Sequence, residues 1–267
     1  MKRGMFKLKY CLVFLFIIVI ILFPILVLKF EFFKSKTCGD ETGNNSCSDN
    51  KPYFCEEGIL IEKASVCGCP EILKKEGDSC ISEYQTNSKN ISLIYLLDDK
   101  IGNIEFTVYR GIYDYVSGIP RHINYYGNEE RSRRDFKLKA LDDSEQRNAL
   151  MPLVIGIQNS VKKKEEQAKI AISLIQIISY NDSLVDSDLE QAVNYKYPYQ
   201  TIYDEQALCS EKADLLAFLL RELGYGVAIF YFPVEDHEAV GIKCSARDFQ
   251  DTGYCFIETT GLVGERG

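Results

Sequence analysis

Histidine is scarce in this chain, which has only His122 and His237 among its 267 residues. So few histidines exclude a histidine-rich metal site and leave few candidates for a general base. Positive charge is also in deficit, because 31 Lys and Arg stand against 39 Asp and Glu, for a formal net charge of -8. A chain this acidic is not expected to bind nucleic acid. The sequence implies no metal and no other cofactor.

One long uncharged stretch, Tyr10–Leu28, follows a short basic segment at the N-terminus. It is long enough to cross the roughly 30 Å hydrocarbon layer of a membrane as a helix. The basic flank predicts that the N-terminus is cytoplasmic and the rest outside. A cleaved signal peptide is the alternative, but bulky residues follow where a small-residue cleavage site is needed. The sequence thus predicts a tail and transmembrane anchor over residues 1–36, and a single-pass protein of the cell membrane with an extracytoplasmic C-terminal domain.

Cysteine is abundant, with ten residues in the chain. Residues 37–81 hold a cluster of them in a segment too poor in apolar residues to bury a core of its own. An even number of cysteines outside the membrane predicts disulfides, with the connectivity left open. Zinc is the alternative, but the segment has no histidine and no paired C-x-x-C motif. The cluster consists of Cys38, Cys47, Cys55, Cys67, Cys69 and Cys80.

The string KPYFCEEGILIEKASVCGCP, within this segment, resembles a small cysteine-rich module found outside the membrane in archaeal surface proteins. The resemblance implies no activity, and the segment is interpreted either as a stapled spacer near the membrane or as a binding module. Residues 82–90 are polar and predict a linker. Residues 91–267 then form the larger domain.

The larger domain is organised around the stretch CSEKADLLAFLLRELGYGVAIFYF, which begins at Cys209. Its leucines fall at helical spacing, Gly-Tyr-Gly ends the helix, and a short apolar run predicts a buried strand. A cysteine at the start of a buried helix is expected to have a lowered thiol pKa and to act as a nucleophile. A core cysteine is the alternative interpretation.

Two further strands are predicted, one that opens near His237 and one that ends at Glu258. Antiparallel strands joined by a tight turn place their outer ends together. A Cys–His–carboxylate set needs that geometry, because the histidine takes the thiol proton and the acid orients the imidazole. At the inner ends, Cys244 and Cys255 predict a cross-strand disulfide. Cys209 is then the one unpaired thiol of the part outside the membrane.

The polar neighbours of these residues are expected to be structural. Asp236 and Glu238 flank His237, and we expect both side chains to be solvated. Four tyrosines before Cys209 are expected to pack, although one hydroxyl could donate to an oxyanion. They are Tyr195, Tyr197, Tyr199 and Tyr203.

The motifs CSEKADLLAFLLRELGYGVAIFYF, DHEAVGI and YCFIETT resemble the transglutaminase-like superfamily, most closely its archaeal membrane-anchored members. The resemblance implies an α+β fold with a papain-like core, in which a helix bearing the cysteine packs on an antiparallel sheet. It implies Cys209 as nucleophile, His237 as base and Glu258 as acid. Two departures stand out: Ala207 replaces a glycine of many members, and Glu258 opens Glu-Thr-Thr where many have Asp-Pro-Thr.

The sequence therefore predicts a transglutaminase-like domain preceded by one transmembrane helix and a small disulfide-rich module. The function it predicts is that of a membrane-anchored thiol enzyme that hydrolyses or transfers the acyl groups of peptide or glutamine side-chain amides. Its substrate is expected to be a protein or peptide. The alternative is a catalytically inactive surface module of the same fold that binds other proteins.

Overall fold

The computed structural model describes residues 37–120, 137, 141–180, 195–245 and 248–261. The chain divides into two compact units, Met1–Lys36 and Thr37–Gly267. All the described residues belong to the second unit. The predicted transmembrane helix, Tyr10–Leu28, lies outside the described residues.

No helix in the part of the chain that the structure describes is long and apolar enough to cross a membrane. The longest helix there, Ser144–Ser160, has 17 residues and includes Glu145 and Arg147, whereas a spanning helix needs about 20 predominantly apolar residues. The prediction is corrected accordingly: the preceding membrane helix in the fold class, and the single-pass cell-membrane location derived from it, have no support in the described residues. The structure shows an α+β unit with antiparallel sheets.

The cysteine-rich module consists of short elements held together by disulfides. Cys38 pairs with Cys55, Cys47 with Cys67, and Cys69 with Cys80. Because each of these sulfurs is bonded to another, none is a thiolate that could bind the zinc of the alternative interpretation. The elements are β1 (Ser46–Cys47), β2 (Tyr53–Glu56), β3 (Ile59–Glu62), α1 (Ala64–Cys67), β4 (Lys74–Glu76) and β5 (Ser79–Ile81).

The module packs directly against the larger domain. The Asn159 side chain accepts from the Leu60 backbone N–H at 2.8 Å and donates to the Leu60 carbonyl at 2.9 Å. The buried Gln167 amide donates to the Gly39 carbonyl at 2.7 Å. Side chains of the larger domain thus satisfy buried backbone groups of the module, as a dry contact requires.

A long hairpin and a helical layer open the larger domain. Strands β6 (Ser88–Leu97) and β7 (Lys100–Tyr109) pair antiparallel along their whole length. Asp98 and Asp99 form the turn with positive φ angles of 47° and 61°, as a two-residue hairpin turn requires. The elements that follow are α2 (Arg110–Ser117), α3 (Ser144–Ser160), α4 (Lys164–Ile177), β8 (Ser179–Tyr180), α5 (Pro198–Asp204) and β9 (Gln206–Ala207).

A buried helix and a three-stranded antiparallel sheet complete the described fold. Helix α6 (Cys209–Glu222) is followed by β10 (Val227–Phe232), β11 (His237–Lys243) and β12 (Tyr254–Ile257), with β11 in the centre of the sheet. The helix is fully buried along its apolar stripe and packs against β11. At the inner ends of β11 and β12, Cys244 and Cys255 form a disulfide. The sequence-based hairpin is thus present in this sheet.

Replacing Gly39 with alanine should separate the module from α3. A Cβ at this position would lie 2.0 Å from the backbone oxygen of Gln158, and backbone cannot rotate away as a side chain does. We expect the unfolding free energy to fall by about 1–3 kcal/mol or more, which is the usual range for overpacking. Urea denaturation of the full chain measures it. Gly43→Ala is the matched control, because the nearest atom to its Cβ, Ser46 Oγ, is 4.0 Å away. Equal urea midpoints for the two variants would contradict the prediction.

Candidate active site

Helix α6 begins at Cys209, as the sequence predicts. Glu211, two residues on, fixes this start because its carboxylate accepts from the backbone N–H of Leu208 at 2.9 Å and of Lys196 at 2.8 Å. An acidic side chain in the first turn also complements the positive end of the helix. The cysteine is therefore held at a defined helix start.

The Cys209 thiol is the free cysteine of the described residues, and it is half-buried. It donates to the carbonyl oxygen of Asp236 at a distance of 3.8 Å. Burial raises the pKa of Cys209, and the carboxylates of Glu238 and Asp236 add to the rise, against hydrogen bonds from the backbone of Glu238 and Ser210. The predicted lowering of this pKa is thus wrong in direction. Partial burial beside two carboxylates outweighs the helix start, so the resting sulfur is a thiol.

His237 and Glu258 form a hydrogen-bonded pair at the outer ends of the sheet. His237 Nε2 lies 3.1 Å from Glu258 Oε2, and the side chains are 26% and 31% exposed. An ionised carboxylate only accepts hydrogen bonds, so it selects the tautomer that carries its proton on Nε2. Nδ1 then holds a lone pair and is the nitrogen that can take up a proton.

The Glu258 carboxylate is itself held by the residues that follow it. Its Oε1 accepts from the backbone N–H groups of Thr259 and Thr260, both at 2.9 Å, and from the Thr260 hydroxyl at 2.6 Å. Burial works to raise the pKa of Glu258, but the Thr260 hydrogen bonds and the charge of His237 outweigh it and hold the pKa below its ordinary value. The Glu-Thr-Thr string therefore keeps this acid ionised and directed at the imidazole.

The structure brings all three predicted site residues to one end of the sheet. Cys209 opens α6, His237 opens β11, and Glu258 directly follows β12. The thiol donates its hydrogen bond to the carbonyl of Asp236, the residue just before His237. Hydrogen bonds of catalytic groups are often long or misdirected before substrate binds. Proton transfer requires the thiol to turn from Asp236 toward Nδ1 of His237.

A buried ionic cluster joins the cysteine helix to the histidine strand. The Lys137 ammonium lies 2.8 Å from Glu238 Oε2 on β11 and 3.1 Å from Asp214 Oδ1 on α6. All three side chains are almost inaccessible to solvent. The expectation that Glu238 is solvated is therefore wrong, while Asp236 is exposed as predicted. One sequence signal could have predicted this cluster, which is Asp214 in the apolar run of α6. A buried carboxylate needs a cation beside it.

The four tyrosines before Cys209 do not serve it. The Tyr195 hydroxyl hydrogen bonds with Lys137 and Asp214 in the ionic cluster. The hydroxyls of Tyr197 and Tyr199 donate to backbone carbonyls elsewhere. The ring of Tyr203 packs on that of another tyrosine, with centroids 4.9 Å apart. They pack, as the sequence predicts, and the oxyanion role has no support among them.

Phenylalanines cover the sheet beside His237. Phe232 lies directly opposite His237 across the strands, and the two rings stack with centroids 6.2 Å apart. Phe230 and Phe256 continue the cluster, which has a 39% exposed edge at Phe256. Gly241 allows the Phe230 ring to pack close to β11, since a Cβ at position 241 would lie 2.8 Å from that ring. The imidazole thus adjoins an apolar surface.

No group of acidic, cysteine or histidine side chains in the described ranges could hold a metal ion. Comparison of the chain with protein-family models, curated proteins and solved structures found no match. The geometry of Cys209, His237 and Glu258 is therefore the basis for assigning a function.

Glu258→Gln should change how stability depends on acid. A carboxyl with a folded-state pKa below its ordinary value of 4.5 stabilises the fold above that value, and the contribution is lost as the pH falls through the folded pKa. The variant lacks this contribution, so we expect it to be less stable than the parent chain at neutral pH. The difference should shrink below about pH 4.

Urea midpoints measured at neutral and acid pH test this. Glu235→Gln is the control, because Glu235 is an exposed acid near the same strand. We expect its midpoint to follow the parent chain throughout. A constant difference between Glu258→Gln and the parent chain at every pH would count against the prediction.

Proposed function

We propose that this chain is a transglutaminase-like thiol enzyme that hydrolyses or transfers the acyl group of peptide or glutamine side-chain amides. One observation carries the proposal. The free thiol at the start of α6 lies against the backbone beside His237, while the imidazole is oriented from its far nitrogen by Glu258. A nucleophile, a base and an orienting acid in this order are the parts that acyl transfer through a thioester requires.

The chemistry follows from the roles of the three groups. His237 Nδ1 takes the Cys209 proton, and the thiolate attacks the amide carbonyl to form a tetrahedral oxyanion. The backbone N–H groups of the first turn of α6, which have no carbonyl partner within the helix, are the candidate donors to this charge. The imidazolium then gives its proton to the leaving amine, the C–N bond breaks, and a thioester remains on Cys209. Water attacks the thioester in hydrolysis, and an amine attacks it in transfer.

Glu258 has a defined role in these reaction steps. It does not take the proton but stabilises the imidazolium that forms when His237 is protonated. The Thr260 contacts hold its pKa low, so the acid stays ionised as positive charge develops next to it. The raised pKa of Cys209 makes the base necessary, because little thiolate forms without it.

A catalytically inactive binding module is the second candidate. The observation that favours it is the direction of the thiol, which donates to the Asp236 carbonyl instead of the imidazole while burial raises its pKa. For this candidate, a partner protein remains bound to Cys209→Ala and no acyl-enzyme forms.

Trapping of the thioester separates the two candidates. We expect the full chain, incubated with a glutamine-containing peptide and hydroxylamine, to form the peptide hydroxamate. Cys209→Ala should form none, and His237→Gln should reduce the rate about 100-fold or more, which is the usual contribution of a general base. Mass spectrometry of the peptide measures the product.

The matched control is Cys11→Ser, which removes a cysteine outside the described residues. It should leave the rate unchanged. Hydroxamate from Cys209→Ala, or none from the parent chain with any glutamine or peptide amide tried, would sink the enzyme proposal.

A further inference from the structure

Lys212 is a buried lysine one turn after Cys209 on α6, with an exposure of 1%. Its ammonium donates to the backbone carbonyl of Gln176 at 3.5 Å. Among the described residues no carboxylate forms a salt bridge with it, in contrast to the buried Lys137, which has two. A buried cation with one long hydrogen bond costs stability that an apolar side chain of similar volume would not. A contribution to stability therefore does not explain why a lysine occupies this position.

The carbonyl that Lys212 contacts belongs to the last turn of α4. The last carbonyls of a helix lack partners within the helix and carry its negative end charge. A cation at that end is favourable, so the contact holds the end of α4 against α6. This places Gln176 at the meeting point of the two helices.

Gln176 also contacts the candidate acid, Glu258. Its side-chain amide donates to the backbone carbonyl of Glu258 at 2.9 Å, and its Oε1 is buried without a partner. Gln176 is therefore bonded to the Glu258 backbone through its side chain and to Lys212 through its own backbone carbonyl. Burial lowers the pKa of Lys212 to about 8, and the charge of Glu258 counteracts that drop. The link between the two residues in the structure is Gln176, which contacts both.

We propose that Lys212 is a positioning residue, which through Gln176 and its positive charge holds Glu258 in place against His237. The role rests on the function proposed above, since it matters only if the imidazole must be oriented. The carboxylates of Asp236 and of Glu238, the latter paired with Lys137, oppose thiolate formation at Cys209. Lys212 supplies a positive charge that favours the ionised form of Glu258, so that the carboxylate remains an acceptor for the Nε2 proton of His237.

Lys212→Met tests the proposal, because methionine keeps the buried volume and removes the charge. We expect the urea midpoint to rise, while the rate of hydroxamate formation falls about tenfold or more, a loss equivalent to one good orienting contact. A lysine that only caps α4 would show the opposite pattern, with lower stability and an unchanged rate for the folded chain. Lys212→Arg, which keeps the charge, should recover part of the rate.

The orientation of His237 gives a second readout that needs no activity. In a His122→Gln background His237 is the remaining histidine, so its ring nitrogens can be observed by 15N NMR without overlap. We expect the Nε2-protonated tautomer in the parent chain and a mixture of tautomers in Lys212→Met and in Gln176→Leu. The matched control is Leu216→Met, a neutral substitution at another buried position of α6.

The two readouts distinguish failure of the inference from failure of the enzyme proposal. Absence of hydroxamate from the parent chain, together with a tautomer change in Lys212→Met, overturns the enzyme and supports Lys212 as a positioning residue. An unchanged tautomer in Lys212→Met overturns the inference, whatever the activity of the parent chain. A lower rate that merely follows a lower fraction of folded chain also overturns it.

Discussion

The register of β11 against its two neighbours is the constraint on which the candidate site depends. Successive side chains of a strand point to opposite faces, so a slip of one residue would exchange His237 with Glu238. Glu238 would then lie beside Phe232, and an imidazole would lie in the buried ionic cluster with Lys137. The pairing of Phe232 with His237 on one side and the Cys244–Cys255 bond on the other hold the strand in place. The placement of His237 against Phe232 follows from this register.

Charge is distributed unequally around the sulfur. The carboxylates of Asp236 and Glu238 act to keep the thiol protonated, although Glu238 is itself paired with Lys137. On the side of Glu258 a buried ammonium and a set of hydrogen-bond donors favour the ionised acid. The acid and the imidazole are therefore already oriented in the resting chain, and the thiol is the last of the three groups to be activated.

Local patterns in the sequence predict the elements of the site well. The leucine spacing and the Gly-Tyr-Gly stop predict α6, and cysteine parity predicts the bond between Cys244 and Cys255. Each of these signals lies within a few residues of what it predicts. The Asn159 contacts with Leu60 and the Lys137 cluster lie beyond such reasoning, because their partners are far apart in sequence. The predicted direction of the Cys209 pKa shift is wrong for the same reason, since the burial of the thiol is set by the whole fold.

The protonated state of Cys209 also matters for the rest of the chain. The described residues contain four disulfides and one free thiol. Thiolates, and not thiols, attack disulfides, so an ionised cysteine would exchange with the pairs and scramble the module. A sulfur that stays protonated until the base acts, half-buried against the Asp236 carbonyl, is slow in that exchange. The same burial that restrains the nucleophile thus protects the covalent connectivity of the protein that carries it.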